Sequence, residues 1–221
     1  MNYKPMLAEI GDKHILNSNE YIFEPKLDGT RVLIYKNEKE IKLINRRGKN
    51  IISRYPELKN IHKNLMARKC VLDAELIILD KKGKPNFNFL QQREQLKNKT
   101  LIEIRSKELP ATLFVFDILE LNGVSLIKKT VKERKKILEG IIKNSPFIVL
   151  CPYAKDGKKL WRKIKKERLE GVIAKKINST YEQKRSFSWL KIKNFKTTDA
   201  VVIGFTKGKS KRKDSFGSLL V

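Results

Sequence analysis

One lysine stands apart from the many in this chain. In "YIFEPKLDGTR", Tyr21 to Arg31, Lys26 follows Pro25 in a β-rich run and precedes Asp28-Gly29, and Arg31 returns five positions after it. Only about one lysine side chain in a few thousand is a free amine at neutral pH. A nucleophilic lysine therefore needs cationic neighbours or a dry site. The strand end fixes Lys26, and the turn brings Arg31 back to the same locality. An ordinary hairpin with an exposed lysine would give the same local pattern.

Further charges sit where apolar residues are expected. Asn45-Arg46-Arg47-Gly48 puts an arginine at a strand end. "LDAEL" sets Glu75 inside an apolar strand, where an unpaired carboxylate is costly. "FVFDIL" carries Phe116 and Asp117, and "EGVIAK" places Glu170 at a strand entrance. In "WLKIK", Lys191 and Lys193 alternate and share one face, bracketed by Trp189 and Ile192. A single buried charge is usually a satisfied ion pair, but charges repeated in successive core strands point to a shared polar cleft.

The elements that position these residues read as short strands with a few helices between. "YIFEPKL", "RVLIYKN" and "EIKLINR" are closely spaced strands, and "KCVLDAELIILD" and "ATLFVFDILEL" are buried ones, the latter closed by Asn122-Gly123. "SRYPELKNIHKNLMA" predicts a helix with Leu58, Ile61 and Leu65 on one face and Pro56 in its first turn. "KTVKERKKILEGIIKN" predicts a helix with a Thr130/Glu133 capping box, and "KDGKKLWRKIKKERLE" a second amphipathic helix. "GVIAKKI", "FSWLKIKN" and "DAVVIGF" follow as strands, and a Gly- and Lys-rich loop leads to "SLLV". The texture changes near Phe195, which sets a domain boundary between Lys193 and Thr198.

With 221 residues and 40% hydrophobic composition the chain is a globular domain, with room for part of a second. No apolar run spans a bilayer, and "MNYKPMLAEIGDKHIL" lacks the apolar core of a signal peptide. Two cysteines, Cys70 and Cys151, do not indicate a disulfide framework, so the expected location is cytoplasmic. Lys+Arg is 50 against Asp+Glu 24, a net charge of +26, which suits a phosphate polyanion. A lysine-rich, merely solvated surface would give the same count.

Taken in order from "KPMLA" to the chain end, these segments resemble the nucleotidyltransferase motifs of ATP-dependent DNA ligases, in particular the ligase domain of prokaryotic end-joining ligases. "SRYPEL", "STYEQKRSFSWLKIK" and "VVIGFTKGKS" with "FGSLLV" carry much of the likeness. The family's serine before the motif arginine is Asn45 here. The resemblance implies an α+β fold: an ATP-grasp-like nucleotidyltransferase domain of antiparallel sheets with flanking helices over 1–195, then the start of an OB-fold β-barrel over 196–221. On this likeness the chain would stop before that barrel closes and before the family's last motif, as a fragment or a form without full activity.

The resemblance also implies roles. Lys26 is the nucleophile that takes AMP from ATP as a lysyl-AMP phosphoramidate. Glu24 helps recognise the adenine edge and Phe116 stacks on the ring, although simple core packing would explain the same phenylalanine. Arg31 and Glu75 face the ribose, and Arg46 meets phosphate near the nick. Arg185 and Lys191 hold the ATP phosphates, and Lys193 adds positive potential, or is a solvated strand end. Glu75 and Glu170 are hard oxygen donors suited to Mg2+. Asp117 reads as a structural acceptor. The implied partner is nicked duplex DNA, bound by a monomer, with no membrane; the pathway, whether replication, recombination or repair, stays open. An RNA ligase, an mRNA capping enzyme and a non-catalytic basic nucleic-acid-binding fragment are the competing readings.

Overall fold

The computed structural model describes residues 3–195 and 199–221. Two sheets face each other across a cleft. The first has four strands in the order β1-β10-β9-β2: β1 (Leu7–Ile10), β2 (Tyr21–Lys26), β9 (Gly171–Lys176) and β10 (Arg185–Lys193). The second runs β4-β3-β5-β6-β7: β3 (Thr30–Lys36), β4 (Ile41–Asn45), β5 (Cys70–Ile78), β6 (Ala111–Leu121) and β7 (Val124–Ser125), with β8 (Ile148–Leu150) beside β6. The sheets are mostly antiparallel, as expected, but β1–β10 and β6–β8 pair in parallel.

Helices cover the outer faces. Four are α-helical: α1 (Phe87–Gln95), α2 (Lys99–Glu108), α3 (Val131–Ile141) and α4 (Gly157–Glu167). Helix α3 begins with the Thr130/Glu133 capping box, so two orphan N-terminal N–H groups are satisfied reciprocally. Helix α4 packs Ile164, Leu160 and Trp161 on Phe23, Val172, Ala174 and Ile192 of the first sheet. The second sheet's outer face buries Val32, Ile34, Leu43, Leu72, Leu76 and Val115 with Leu138 of α3 and Leu90 of α1. Between the sheets a smaller cluster forms from Met6, Leu33, Phe116, Leu119, Tyr181 and Trp189. Strand β3 is buried on both faces, Val32 and Ile34 one way and Leu33 the other, which is why its sequence reads as an unbroken apolar run.

Three expectations need correction. The segment from Ser53 to Ala67 is not one helix but three 3-10 turns, Ile52–Arg54, Pro56–Leu58 and Ile61–Asn64. Tyr55 precedes Pro56 and sits at φ −132°, ψ 65°, because the proline ring excludes the helical conformation there. Leu58, Ile61 and Leu65 still share one buried side, since 3-10 turns deliver them to the same core. Second, β2 and β3 are not a hairpin. β2 pairs with β9 and β3 with β4 and β5, so Asp28-Gly29 carries the chain from one sheet to the other. A Cβ on Gly29 would lie 2.4 Å from the Leu76 carbonyl oxygen, so the crossing requires glycine. Third, the strand expected over "DAVVIGF" begins only at Gly204. β11 (Gly204–Lys207) and β12 (Phe216–Leu220) form a separate two-stranded sheet. The expected domain boundary falls partly on residues 196–198, outside the described residues.

Candidate active site

The cleft between the sheets holds a cavity of about 270 Å3. Glu24, Lys26, Arg31, Arg46, Glu75, Phe116, Arg185 and Lys191 all line it. Because the Asp28-Gly29 crossing joins two sheets, Lys26 reaches the cavity from one wall and Arg31 from the other.

Strand pairing sets the neighbour of Lys26. Lys26 ends β2 opposite Gly171, the first residue of β9. Glu170 therefore arrives beside Lys26, and Nζ donates to its Oε2 at 2.6 Å. Gly171 is required there: a Cβ would meet the Ile192 carbonyl oxygen at 2.2 Å. Glu170 is not among the cavity-lining residues but touches the one residue that ends the strand.

Phe116 sits at an irregularity of its strand. In the β5–β6 ladder Asp73 faces Asp117 and Ala74 faces Val115, leaving Phe116 as the extra residue of a bulge. Phe114 and Phe116 face the cleft while Leu113 and Val115 face outward, and the bulge shifts the phase only beyond Phe116, so that Ile118 returns to the outer core and Leu119 to the cleft. The Phe116 ring packs edge-on against Trp189, with centroids 6.2 Å apart. Lys175 lies against both rings, 4.4 Å from the Phe116 centroid and 4.0 Å from that of Trp189, and donates to the Phe116 carbonyl at 3.2 Å. This contact occupies the carbonyl of the extra residue.

Arg31 is held by a carboxylate that the sequence reading left out. Its Nε and Nη2 reach the two oxygens of buried Asp73 at 2.9 and 2.5 Å, and Nη1 reaches the Met6 carbonyl at 2.5 Å. Tyr181 donates to the same Asp73 at 2.6 Å. The guanidinium stacks over Phe116 and Trp189, 5.2 and 5.7 Å from the ring centroids. Burial alone would lower its pKa, but Asp73 outweighs that and raises it, so the cation is permanent.

Glu75 shows the opposite balance. Burial pushes its carboxyl up to about 8, against the pull of Arg31 and Lys26 and with further elevation from Asp73 and Glu170. Burial also raises Asp28, which Glu170 reinforces. Three carboxyl groups, Glu170, Glu75 and Asp28, thus act on Lys26 electrostatically, but no three His, Cys, Asp or Glu side chains are arranged to hold a metal ion among the described residues.

At the open end, Arg185 Nη1 and Lys191 Nζ both point to the Ala8 carbonyl, at 2.8 and 3.4 Å. Lys191 is lowered by burial and by the cations Arg185 and Lys193. Arg46, exposed after β4, has no ion-pair partner among the described residues. Lys193 does not line the cavity; its ammonium lies 5.6 Å from the Phe195 ring centroid. Asp117 is occupied by Arg134 through two hydrogen bonds of 2.7 and 3.0 Å, the structural role its strand position suggested.

Glu24 is 2% exposed and lies between two lysines, Lys175 at 2.9 Å and Lys135 of α3 on its other oxygen. Asp73, Lys175, Trp189 and Lys135 are the site residues that sequence reasoning missed. Asp73 and Lys175 lie inside the same "LDAEL" and "EGVIAK" segments that pointed to Glu75 and Glu170, and charge in an apolar strand was their signal too. Lys135 carried none, since it looks like one of many surface lysines on an amphipathic helix.

The geometry gives an aromatic slot with a buried carboxylate at its base, a lysine at one wall and cations at the mouth. That set fits a purine nucleotide with its phosphates toward Lys26, Arg185 and Lys191. A family model for the ATP dependent DNA ligase domain matches residues 5–193. The multifunctional non-homologous end joining protein LigD of Mycolicibacterium smegmatis is 33% identical over 221 residues, covering 100% of this chain and 27% of its own length. DNA ligase 1 of Methanosarcina barkeri is 37% identical over 217 residues, covering 89% of this chain and 40% of its own length. This chain thus spans well under half of these curated relatives. The structure of mycobacterial DNA ligase D complexed with ATP and MES superposes with a TM-score of 0.73 at 29% identity, covering 99% of this chain and 67% of that one.

Proposed function

Because this chain belongs to the ATP dependent DNA ligase domain family, we propose that it is the adenylylating part of a DNA ligase, with Lys26 as the residue that carries AMP. The observation that carries this reading is the 2.6 Å contact between Lys26 Nζ and Glu170 at the wall of an aromatic-lined cavity. Lys26 must give up a proton to become nucleophilic; the Glu170 carboxylate, which as an ion-pair partner favours the ammonium in the resting chain, is in place to accept that proton as the amine attacks. The amine then attacks the α-phosphorus of ATP. A P–N bond forms, the bond to the β-phosphate oxygen breaks, and pyrophosphate leaves.

Phe116 stacks on the base, Arg31 and Glu75 face the sugar, and Arg185 and Lys191 receive the phosphates. Arg46, free at the mouth, is available to DNA phosphate, and Lys193 contributes positive potential from outside the cavity. AMP next passes to the 5′-phosphate of a nick, leaving Lys26 free, and the 3′-hydroxyl displaces AMP as the strand is sealed. The net charge of +26 supports a duplex partner, because phosphate contacts are largely sequence-independent.

Magnesium fits the donor set. Glu75 and Glu170 are two hard oxygen ligands near Lys26, and Mg2+ characteristically takes one or two carboxylates and completes its shell with substrate phosphates and water. It would neutralise charge on the triphosphate. The strands β11 and β12 are read as the start of an OB barrel. No described helix is long and apolar enough to cross a membrane. Two free, buried cysteines suit a reducing cytoplasm, and the chain is read as a monomer.

The test is direct. Incubation with ATP and magnesium should add the mass of one AMP to the chain, and nicked DNA should then discharge it. GTP in place of ATP should label poorly, and nicked RNA should discharge poorly. No adduct with any nucleotide would refute the reading.

A further inference from the structure

The base end of the cavity contains one charge more than neutrality requires. Glu24 faces two ammonium groups, Lys175 and Lys135, and all three side chains are at most 4% exposed. Lys175 alone would compensate the carboxylate. A second buried cation carries a desolvation cost that its attraction must offset. Lys175 lines the cavity, but Lys135 does not.

Lys135 approaches from behind. Its helix α3 is anchored at two points next to it: the Thr130/Glu133 capping box, and Arg134, whose guanidinium grips Asp117. Asp117 directly follows the bulged Phe116, so Lys135 is fixed relative to the stacking ring. The ammonium also lies 5.3 Å from the Tyr153 ring centroid, and the Tyr153 hydroxyl donates to Glu139 one turn further along α3 at 2.8 Å. Both Glu24 oxygens are therefore in ion-pair contact, Oε2 with a lysine in the cavity wall and Oε1 with a lysine behind it. Charge attraction on both oxygens opposes rotation of the carboxylate and so holds its orientation.

We propose that Lys135 is a positioning residue for base selection: it holds Glu24 from behind so that the carboxylate accepts from the amino group of adenine and opposes the carbonyl oxygen of guanine. The two purines differ at that edge in this way, a donor in one and an acceptor in the other. This rests on the proposed function, in which the cavity holds ATP.

The experiment compares ATP with GTP in lysyl-nucleotide formation by the wild type, Lys135→Met and Lys135→Arg. In Lys135→Met, KM for ATP should rise on the order of tenfold while kcat at saturating ATP changes little, and the ATP-over-GTP preference should fall by a similar factor, the scale of one charge-assisted hydrogen bond. Lys135→Arg should recover most of the preference. A Lys135→Met chain that melts earlier yet keeps the wild-type KM and preference would overturn the proposal and leave Lys135 purely structural. Should that variant fail to fold, a folded Lys135→Gln chain with wild-type preference overturns it equally. If the wild type forms no adduct, the proposed function fails, and the ratio of ATP to GTP affinity, read by thermal shift on the same variants, still decides the role of Lys135.

Discussion

Lys26 Nζ and Glu170 Oε2 are 2.6 Å apart because β2 and β9 pair with Lys26 opposite Gly171. The contact depends on the ladder, so a one-residue slip would separate the pair. Lys26→Ala should abolish the AMP adduct and leave the fold intact, since a partly exposed ion pair contributes only about 0–1 kcal/mol. Arginine at 26 should not rescue, because guanidinium stays protonated. Mass spectrometry after ATP and magnesium checks both variants; an adduct in Lys26→Ala would mean that another residue is adenylylated.

Phe116→Ala should weaken ATP use by about 1–3 kcal/mol, the scale of base–aromatic stacking. The ring is 9% exposed and touches Trp189, Lys175 and Arg31, so part of any loss could come from the surrounding packing. Adduct kinetics must be read beside a thermal melt. An unchanged KM for ATP in a chain of unchanged stability would refute stacking.

Most of the sheets were legible, because their strands carry apolar runs closed by turn residues such as Asn122-Gly123, both of which adopt the positive φ that a tight reversal demands. What failed has local causes. Helix α1 buries Arg93 as well as Leu90, and α2 leaves Leu101 and Ile104 about half exposed, so neither shows a clean apolar stripe. Their caps, Asn86 and Asn98, were the available signal. The false helix near Pro56 arose because 3-10 turns place Leu58, Ile61 and Leu65 on one side just as an α-helix would. In the site, residues in apolar strands stood out by charge alone. Lys135 did not, because only the packing of α3 on β6, which brings it to Glu24, distinguishes it from its exposed neighbours Lys132 and Lys136.

Arg134 is fully buried and pairs with Asp117, so removing its charge leaves a carboxylate with no guanidinium in the interior. Arg134→Met should cost about 3–5 kcal/mol. Urea unfolding followed by circular dichroism measures this directly. A loss below about 1 kcal/mol would mean that Lys175 and Lys135 alone can hold Asp117 ionised.

Glu75 makes the stability of the chain depend on pH with a definite sign. Its carboxyl is raised to about 8 in the folded chain, first by burial, whereas in the unfolded chain it has the ordinary carboxylate value near 4.3. Below that ordinary value both states hold the proton. Between it and about 8 the folded chain keeps the proton and the unfolded chain has lost it, so stability falls as pH rises. Above about 8 both states are ionised and the slope vanishes. Glu75→Gln has no proton to lose, and every other titrating group is common to both chains. The melting temperature of the wild type minus that of Glu75→Gln should therefore decline steadily from weakly acid to weakly alkaline pH and then level off. Magnesium bound through Glu75 requires the carboxylate, so it should release a proton in the same window from the wild type and not from the glutamine variant. A difference that stays constant across the window would show that Glu75 ionises in the folded chain as it does in water, and that the cavity is wetter than its walls imply.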